Sequence, residues 1–238
     1  MKIGKFSHQG LSFVIIFAVI GVLAYSTPLA EIIGAESSNF TLFDLLAPIP
    51  VAFLGLWAGL AAILISTFTA IITLGKALDI LTFARLLPPL AAGLFFYAYK
   101  QNKSYLSKIS QFLLPAIAIA LFMLHPAIFG TVAMLYSLYW LIPIASHFLP
   151  NHLFLRSLGA TFSQHAIGSV LFLYLLPSLH NPAIWLALIP VVAIERSFFA
   201  LGISISFKAV QFALNKFNSL LKYYNHQPIA FPYMEKRK

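Results

Sequence analysis

In the stretch VVAIERSFFALG, residues 191–202, Glu195 and Arg196 stand side by side in a run that is otherwise almost wholly apolar. Such a pair suits recognition. A carboxylate accepts from a ligand's donor or holds a cation, and a guanidinium forks onto an anionic group. A charge at the middle of a bilayer costs about 3 kcal/mol on insertion scales, which makes it a functional candidate by default. Adjacent helical residues point about 100° apart, so the two are not expected to pair simply with each other. The structural alternative is an ion pair with another helix, through Arg85 or Arg156. Arg196 could also face a partner protein.

A second group lies in RSLGATFSQHAIGSV, residues 156–170. Ser157, Thr161, Gln164/His165 and Gly168 fall on one helical face. A face of small and polar residues packs closely against neighbouring helices or lines a cavity. His165, flanked by Ser163 and Gln164, is the histidine best placed for a pocket. In YSLYW, residues 136–140, Tyr136 and Tyr139/Trp140 could stack on a planar ligand or form an interfacial aromatic belt. The expected ligand-binding set is Glu195, Arg196, His165, Gln164, Tyr136, Trp140 and Arg85. In LGLWAGLAAILISTF, residues 54–68, the small residues Gly55, Ala58, Gly59 and Ala62 form a ridge. It serves either internal helix packing or the docking of a partner membrane protein.

Other chemistry lacks the residues it needs. There are no cysteines, which removes disulfides, zinc–thiolate sites and cysteine nucleophiles. His125, His147, His152, His165 and His180 show no H-E-x-x-H spacing, and no carboxylates accompany them, so neither metal nor haem is expected. GISIS at 202–206 is not a G-x-S-x-G elbow, and no G-x-x-x-x-G-K-[ST] loop exists for ATP. No catalytic residue and no cofactor are expected; the reading is a non-enzyme.

The elements that hold these residues follow from composition. Of 238 residues, 61% are hydrophobic and 9% charged, against roughly 25% charged in a soluble domain. So few charges do not cover a water-facing surface. The net charge of +9 does not indicate nucleic acid, because the basic residues sit in short segments between apolar runs, as topology signals do. Lys2 and Lys5 before the first run resemble a signal peptide, but many runs follow, and a retained first helix is expected.

The apolar runs are about 11–30, 45–74, 81–99, 112–148, 156–177 and 183 onward. A single helix over 45–74 would reach ~45 Å, against a hydrocarbon core of ~30 Å. The basic ends and the Lys100, Lys103 and Lys108 loop all belong inside. That parity is met if 45–74 and 112–148 each fold into two segments. All Lys and Arg except Lys76, Arg85 and Arg196 then lie on or near the cytoplasmic side, with Glu31, Glu36, Asp44 and Asp79 outside. The runs neither alternate nor match barrel strands. The expectation is an all-α, multi-pass bundle of 6–8 transmembrane segments in the cell membrane, both termini cytoplasmic. It forms a single domain over 1–222 with a polar basic tail at 223–238.

FTLFDLLAPIPVAFLGLWAGLAAILIS, residues 40–66, resembles the second and third helices of the substrate-binding (S) components of energy-coupling factor vitamin transporters. It shares a threonine/acidic start, a proline, a short helix ending in glycine and then a small-residue helix. FARLLPPLAAGLFFYAY, residues 83–99, is similar to their fourth helix. The resemblance covers about residues 40–100. It implies capture of a vitamin-like or ring-containing small molecule, with a membrane coupling subunit and ATPases as partners. The alternatives are a stand-alone ion- or proton-coupled secondary transporter and a non-enzymatic membrane assembly subunit.

Overall fold

The computed structural model describes residues 8–31, 33, 39–99 and 105–223. Glu36, Lys2, Lys5, Lys100, Lys103 and the tail beyond Tyr223 lie outside the described residues. The chain is an all-α bundle. Its helices are α1 (His8–Tyr25), α2 (Phe43–Leu46), α3 (Ile49–Leu54), α4 (Leu56–Thr73), α5 (Ile80–Ala84), α6 (Leu87–Ala98), α7 (Tyr105–Lys108), α8 (Leu114–Leu124), α9 (Leu141–Ser146), α10 (Leu153–Leu175) and α11 (Pro182–Tyr223). Among the described residues, five helical stretches are long and apolar enough to cross a membrane: Leu56–Thr73, Ile80–Ala98, Tyr105–Leu124, Leu153–Leu175 and Pro182–Leu220. Three shorter apolar helical pieces accompany them: Ser12–Tyr25, Phe43–Leu54 and Val132–Ser146. Their outward faces carry large apolar side chains, among them Leu23, Phe68, Ile194, Phe198 and Ile205. Such a surface suits lipid rather than water.

The long runs break where their residues require it. Gly55 joins α3 to α4 with φ +82°, a conformation that glycine adopts without strain. The chain then folds back on itself. The Tyr105–Leu124 stretch differs in kind. A π-helical turn, Ile109–Leu113, precedes α8. Pro115 has no N–H to offer the Gln111 carbonyl, and the helix widens there. The 112–148 run divides at His125–Thr131, after which Val132–Trp140 is a 3-10 helix leading into α9. The expected single helix over 81–99 is interrupted at Arg85–Leu86.

The polar stretch 31–44 contains strand, which the sequence reading did not anticipate. β1 (Pro28–Glu31) pairs antiparallel with β2 (Asn39–Thr41). At this end of the bundle the hairpin satisfies its own backbone groups between α1 and α2.

Two apolar clusters fill the interior. The first gathers Phe43, Val51, Ile63, Phe95, Phe96, Ile203 and Phe207. The second gathers Phe122, Tyr136, Trp140, Phe162, Leu173, Trp185 and Val192. Helices α10 and α11 contribute to both, so the seam between the clusters runs along them.

The loops at the hairpin end also touch. The His125 and His180 rings lie 5.0 Å apart, and His125 Nδ1 accepts from the Ala127 N–H at 3.2 Å. Burial, and secondarily the nearby His180, hold His125 below its ordinary pKa. A folded pKa below the unfolded value makes the neutral ring the stabilising form. That stability is complete above the unfolded value of about 6.5 and is lost as pH falls through the lower folded pKa. The melting temperature of the purified protein should therefore drop between pH 7 and pH 5. His125→Asn, which keeps a side-chain acceptor for Ala127, should flatten that slope.

Candidate ligand-binding cavity

A cavity of about 120 Å³ opens at the hairpin end, in the seam between the two clusters. Its walls are aromatic: Tyr25, Phe40, Phe43, Tyr136, Phe172 and Trp185. Its polar groups come from five elements of the chain. Glu31, Asn39 and Thr41 stand on the hairpin, Asp44 on α2, Arg85 at the α5–α6 break, Gln164, His165 and Ser169 on α10, and Glu195 on α11.

Asp44 anchors the hairpin to the helices. Its Oδ2 accepts from the Thr41 N–H at 2.6 Å and from Thr41 Oγ1 at 3.3 Å. Its Oδ1 accepts from Gln164 Nε2. That bond fixes which way the Gln164 amide points. Gln164 Oε1 is buried with no hydrogen-bond partner among the described residues. A buried acceptor without a donor costs about 1–3 kcal/mol, so this atom is poised to receive one.

His165 is held by two aromatic partners. Trp140 Nε1 donates to its Nδ1 at 3.2 Å, and Tyr136 Oη lies 2.8 Å from its Nε2. An indole N–H only donates, so Nδ1 carries the lone pair and the ring is the Nε2–H tautomer. Nε2–H then donates to the Tyr136 oxygen. The Tyr136 hydroxyl proton is left to point onward, and Ser169 lines the same cavity.

Glu195 and Arg196 overturn the expectation that neighbours do not pair. Arg196 NH2 lies 2.9 Å from Glu195 Oε2. Both side chains are long enough to bend across the 100° between their Cα–Cβ directions. Arg196 is wholly buried, donates from NH1 to Thr161 Oγ1 at 3.3 Å, and lies over the Phe40 and Phe199 rings at 4.2 and 4.4 Å. Glu195 keeps 18% of its side chain exposed and lines the cavity.

The cavity thus brings together Glu195, His165, Gln164, Tyr136 and Arg85. Arg196 and Trp140 do not line it; both are fully buried beside its wall. Arg196 neutralises Glu195, and Trp140 orients His165. Arg156 binds the Phe96 carbonyl through Nε at 2.6 Å and stacks on the Phe96 ring at 3.5 Å, so it is not the Glu195 partner considered from sequence. Asp44, expected on the outer side of the membrane but not named for the site, lies in the cavity wall at the hairpin end. The signal for it was the Thr41-x-x-Asp44 spacing, which lets a side chain return to the backbone N–H three residues earlier. Ser169, four residues beyond His165, extends the α10 face already recognised. Nothing in the sequence pointed to Trp185.

The small-residue ridge divides. A Cβ on Gly59 would lie 2.3 Å from Val51 Cα, and Ala62 is fully buried. These two are taken up by internal packing and are not available for docking. Gly55 and Ala58 are half-buried.

The chain matches no protein-family model, no curated protein and no solved structure. Among the described residues, no group of three His, Cys, Asp or Glu is placed to hold a metal ion.

Proposed function

We propose that this chain is a multi-pass protein of the cell membrane that captures a small ring-containing molecule non-covalently from the outside. The observation that carries the reading is the cavity itself, an aromatic-walled space with a buried acceptor, Gln164 Oε1, lacking a donor. In this reading eight helical segments cross, both termini are cytoplasmic, and the hairpin end faces outward. Glu31 and Asp79 lie at that end. Lys208 and Lys216 lie on the far part of α11, which at 42 residues extends ~63 Å and overshoots a bilayer core of ~30 Å. That distribution follows the positive-inside rule.

The size of the cavity limits its occupant. A cavity of about 150 Å³ accepts benzene, so 120 Å³ suits a single ring. Glu31, Asp44 and Glu195 outnumber Arg85 in the wall, and they favour a donor-rich or cationic head. The ring stacks among the aromatics, Gln164 Oε1 and Glu195 accept from the head, and His165 and Tyr136 fix its orientation. Uptake as in an S component would draw its energy from a membrane coupling subunit and ATPases. Gentle solubilisation should then bring those partners down with the protein.

A panel of single-ring amines, benzylamine among them, tests the reading through tryptophan fluorescence and melting temperature. At least one should bind, and Glu195→Gln should weaken it about ten-fold, the scale of one charge-assisted hydrogen bond. A panel without effect, or binding indifferent to Glu195→Gln and Asp44→Asn, would sink it.

The helix breaks beside the cavity, at Ala47–Pro48 and Arg85–Leu86, favour a second reading. Discontinuous helices at a binding site are a feature of secondary transporters. Ion-dependent uptake by the purified protein alone in liposomes would select that reading.

A further inference from the structure

The cavity continues outward into a second lobe of about 290 Å³, with which it shares Tyr25, Asn39, Thr41 and Arg85. The two lobes differ in charge. Three carboxylates line the inner one, whereas the outer one has Lys76 and Arg85 and no carboxylate among its described lining residues. Neither cation is ion-paired among the described residues.

Separate devices aim the two cations at one space. Helix α4 ends in a tight C-terminal turn. Gly75 has φ +60°, its N–H bonds the Ile72 carbonyl at 3.1 Å, and the Lys76 N–H bonds the Ile71 carbonyl at 3.0 Å. This Schellman arrangement fixes where Lys76 leaves the helix. Its Nζ lies 5.8 Å from the centre of the Tyr25 ring. Arg85 sits at the end of the five-residue helix α5, whose start is capped by Asp79 through the Thr82 N–H at 2.7 Å. Two cations without an anionic partner among the described residues, beside the Thr41 hydroxyl and the Asn39 amide, form a site for a phosphate or carboxylate.

We propose that the outer lobe is an anion subsite. The ligand would then be bipolar, with a ring and a donor or cationic head in the inner lobe and a phosphate or carboxylate against Lys76 and Arg85. This rests on the ligand-capture reading above for its inner half only.

The test separates the two halves. Protein purified in phospholipid-free maltoside is titrated with inorganic phosphate at fixed ionic strength. Millimolar phosphate should raise the melting temperature by several degrees, an effect kept in Glu195→Gln and lost in Lys76→Gln/Arg85→Gln. No effect in the wild type, or one that survives the double variant, overturns the anion subsite. Tyramine and O-phosphotyramine are then compared by tryptophan fluorescence. The phosphorylated probe should bind roughly ten-fold tighter to the wild type and show no advantage in the double variant. If phosphatidylglycerol abolishes the phosphate effect and the probes bind alike, the anion is a lipid headgroup and the bipolar ligand is overturned. If phosphate acts as expected but neither probe binds, the anion subsite stands and the inner-lobe reading fails.

Discussion

Arg196→Met should remove most of the folded protein from the membrane fraction. The guanidinium is wholly buried, holds Glu195 at 2.9 Å, and lies over the Phe40 and Phe199 rings, which pack edge to face on each other. Its removal leaves the Glu195 carboxylate without its cation and unpacks two rings. Leaving the partly buried Glu195 carboxylate unpaired costs roughly 1–3 kcal/mol, before the lost ring packing, against a total stability of about 5–15 kcal/mol. Arg196→Lys should rescue little, because an ammonium has no plane to lay on the rings. Arg196→Met/Glu195→Gln should recover part of the loss by removing the stranded charge. Asp44, which also feels the Arg196 charge, keeps the recovery incomplete. Fluorescence-detected size exclusion and melting curves of the four proteins form the cycle. A wild-type melting curve for Arg196→Met would show that the buried guanidinium does not hold the fold.

The same pair shows what the sequence could place and what it could not. Composition alone demanded apolar helices, and the excess length of 45–74 demanded a break, which Gly55 supplies. The polar face of α10 was legible because helical spacing places Thr161, His165 and Ser169 on one side of one element. What could not be read was which elements approach that face. Asp44 and Gln164 are 120 residues apart, and no local pattern encodes their meeting. The position of Arg196 was ambiguous for a similar reason. A charge in an apolar helix satisfies the same sequence pattern whether it faces a cavity or stands behind its wall, and only the packing of Phe40 and Phe199 decides between them. The strand pair 28–31 and 39–41 was missed because it is short and polar, and its pairing depends on the ends of α1 and α2 being brought together.

Gly59→Leu should be as damaging as the loss of Arg196, for a reason that also bears on the docking ridge. A Cβ at residue 59 would meet Val51 at its Cα and N, 2.3 and 2.5 Å away. Those are backbone atoms of α3, so the clash is not relieved by rotating a side chain. The α3–α4 hairpin would have to open, and α3 packs against α6 as well as α4. Even modest overpacking costs about 1–3 kcal/mol, and here the wall of the cavity moves with it, because Phe43 and Asp44 lie on the segment leading into α3. Ala58→Leu, one residue earlier and half-buried, should fold normally. The pair of variants separates packing from docking. A protein in which Ala58→Leu folds and binds single-ring amines but no longer co-purifies with a membrane partner would locate the docking surface at Gly55 and Ala58. If Ala58→Leu also keeps its partner, the ridge serves the α3–α4 hairpin alone.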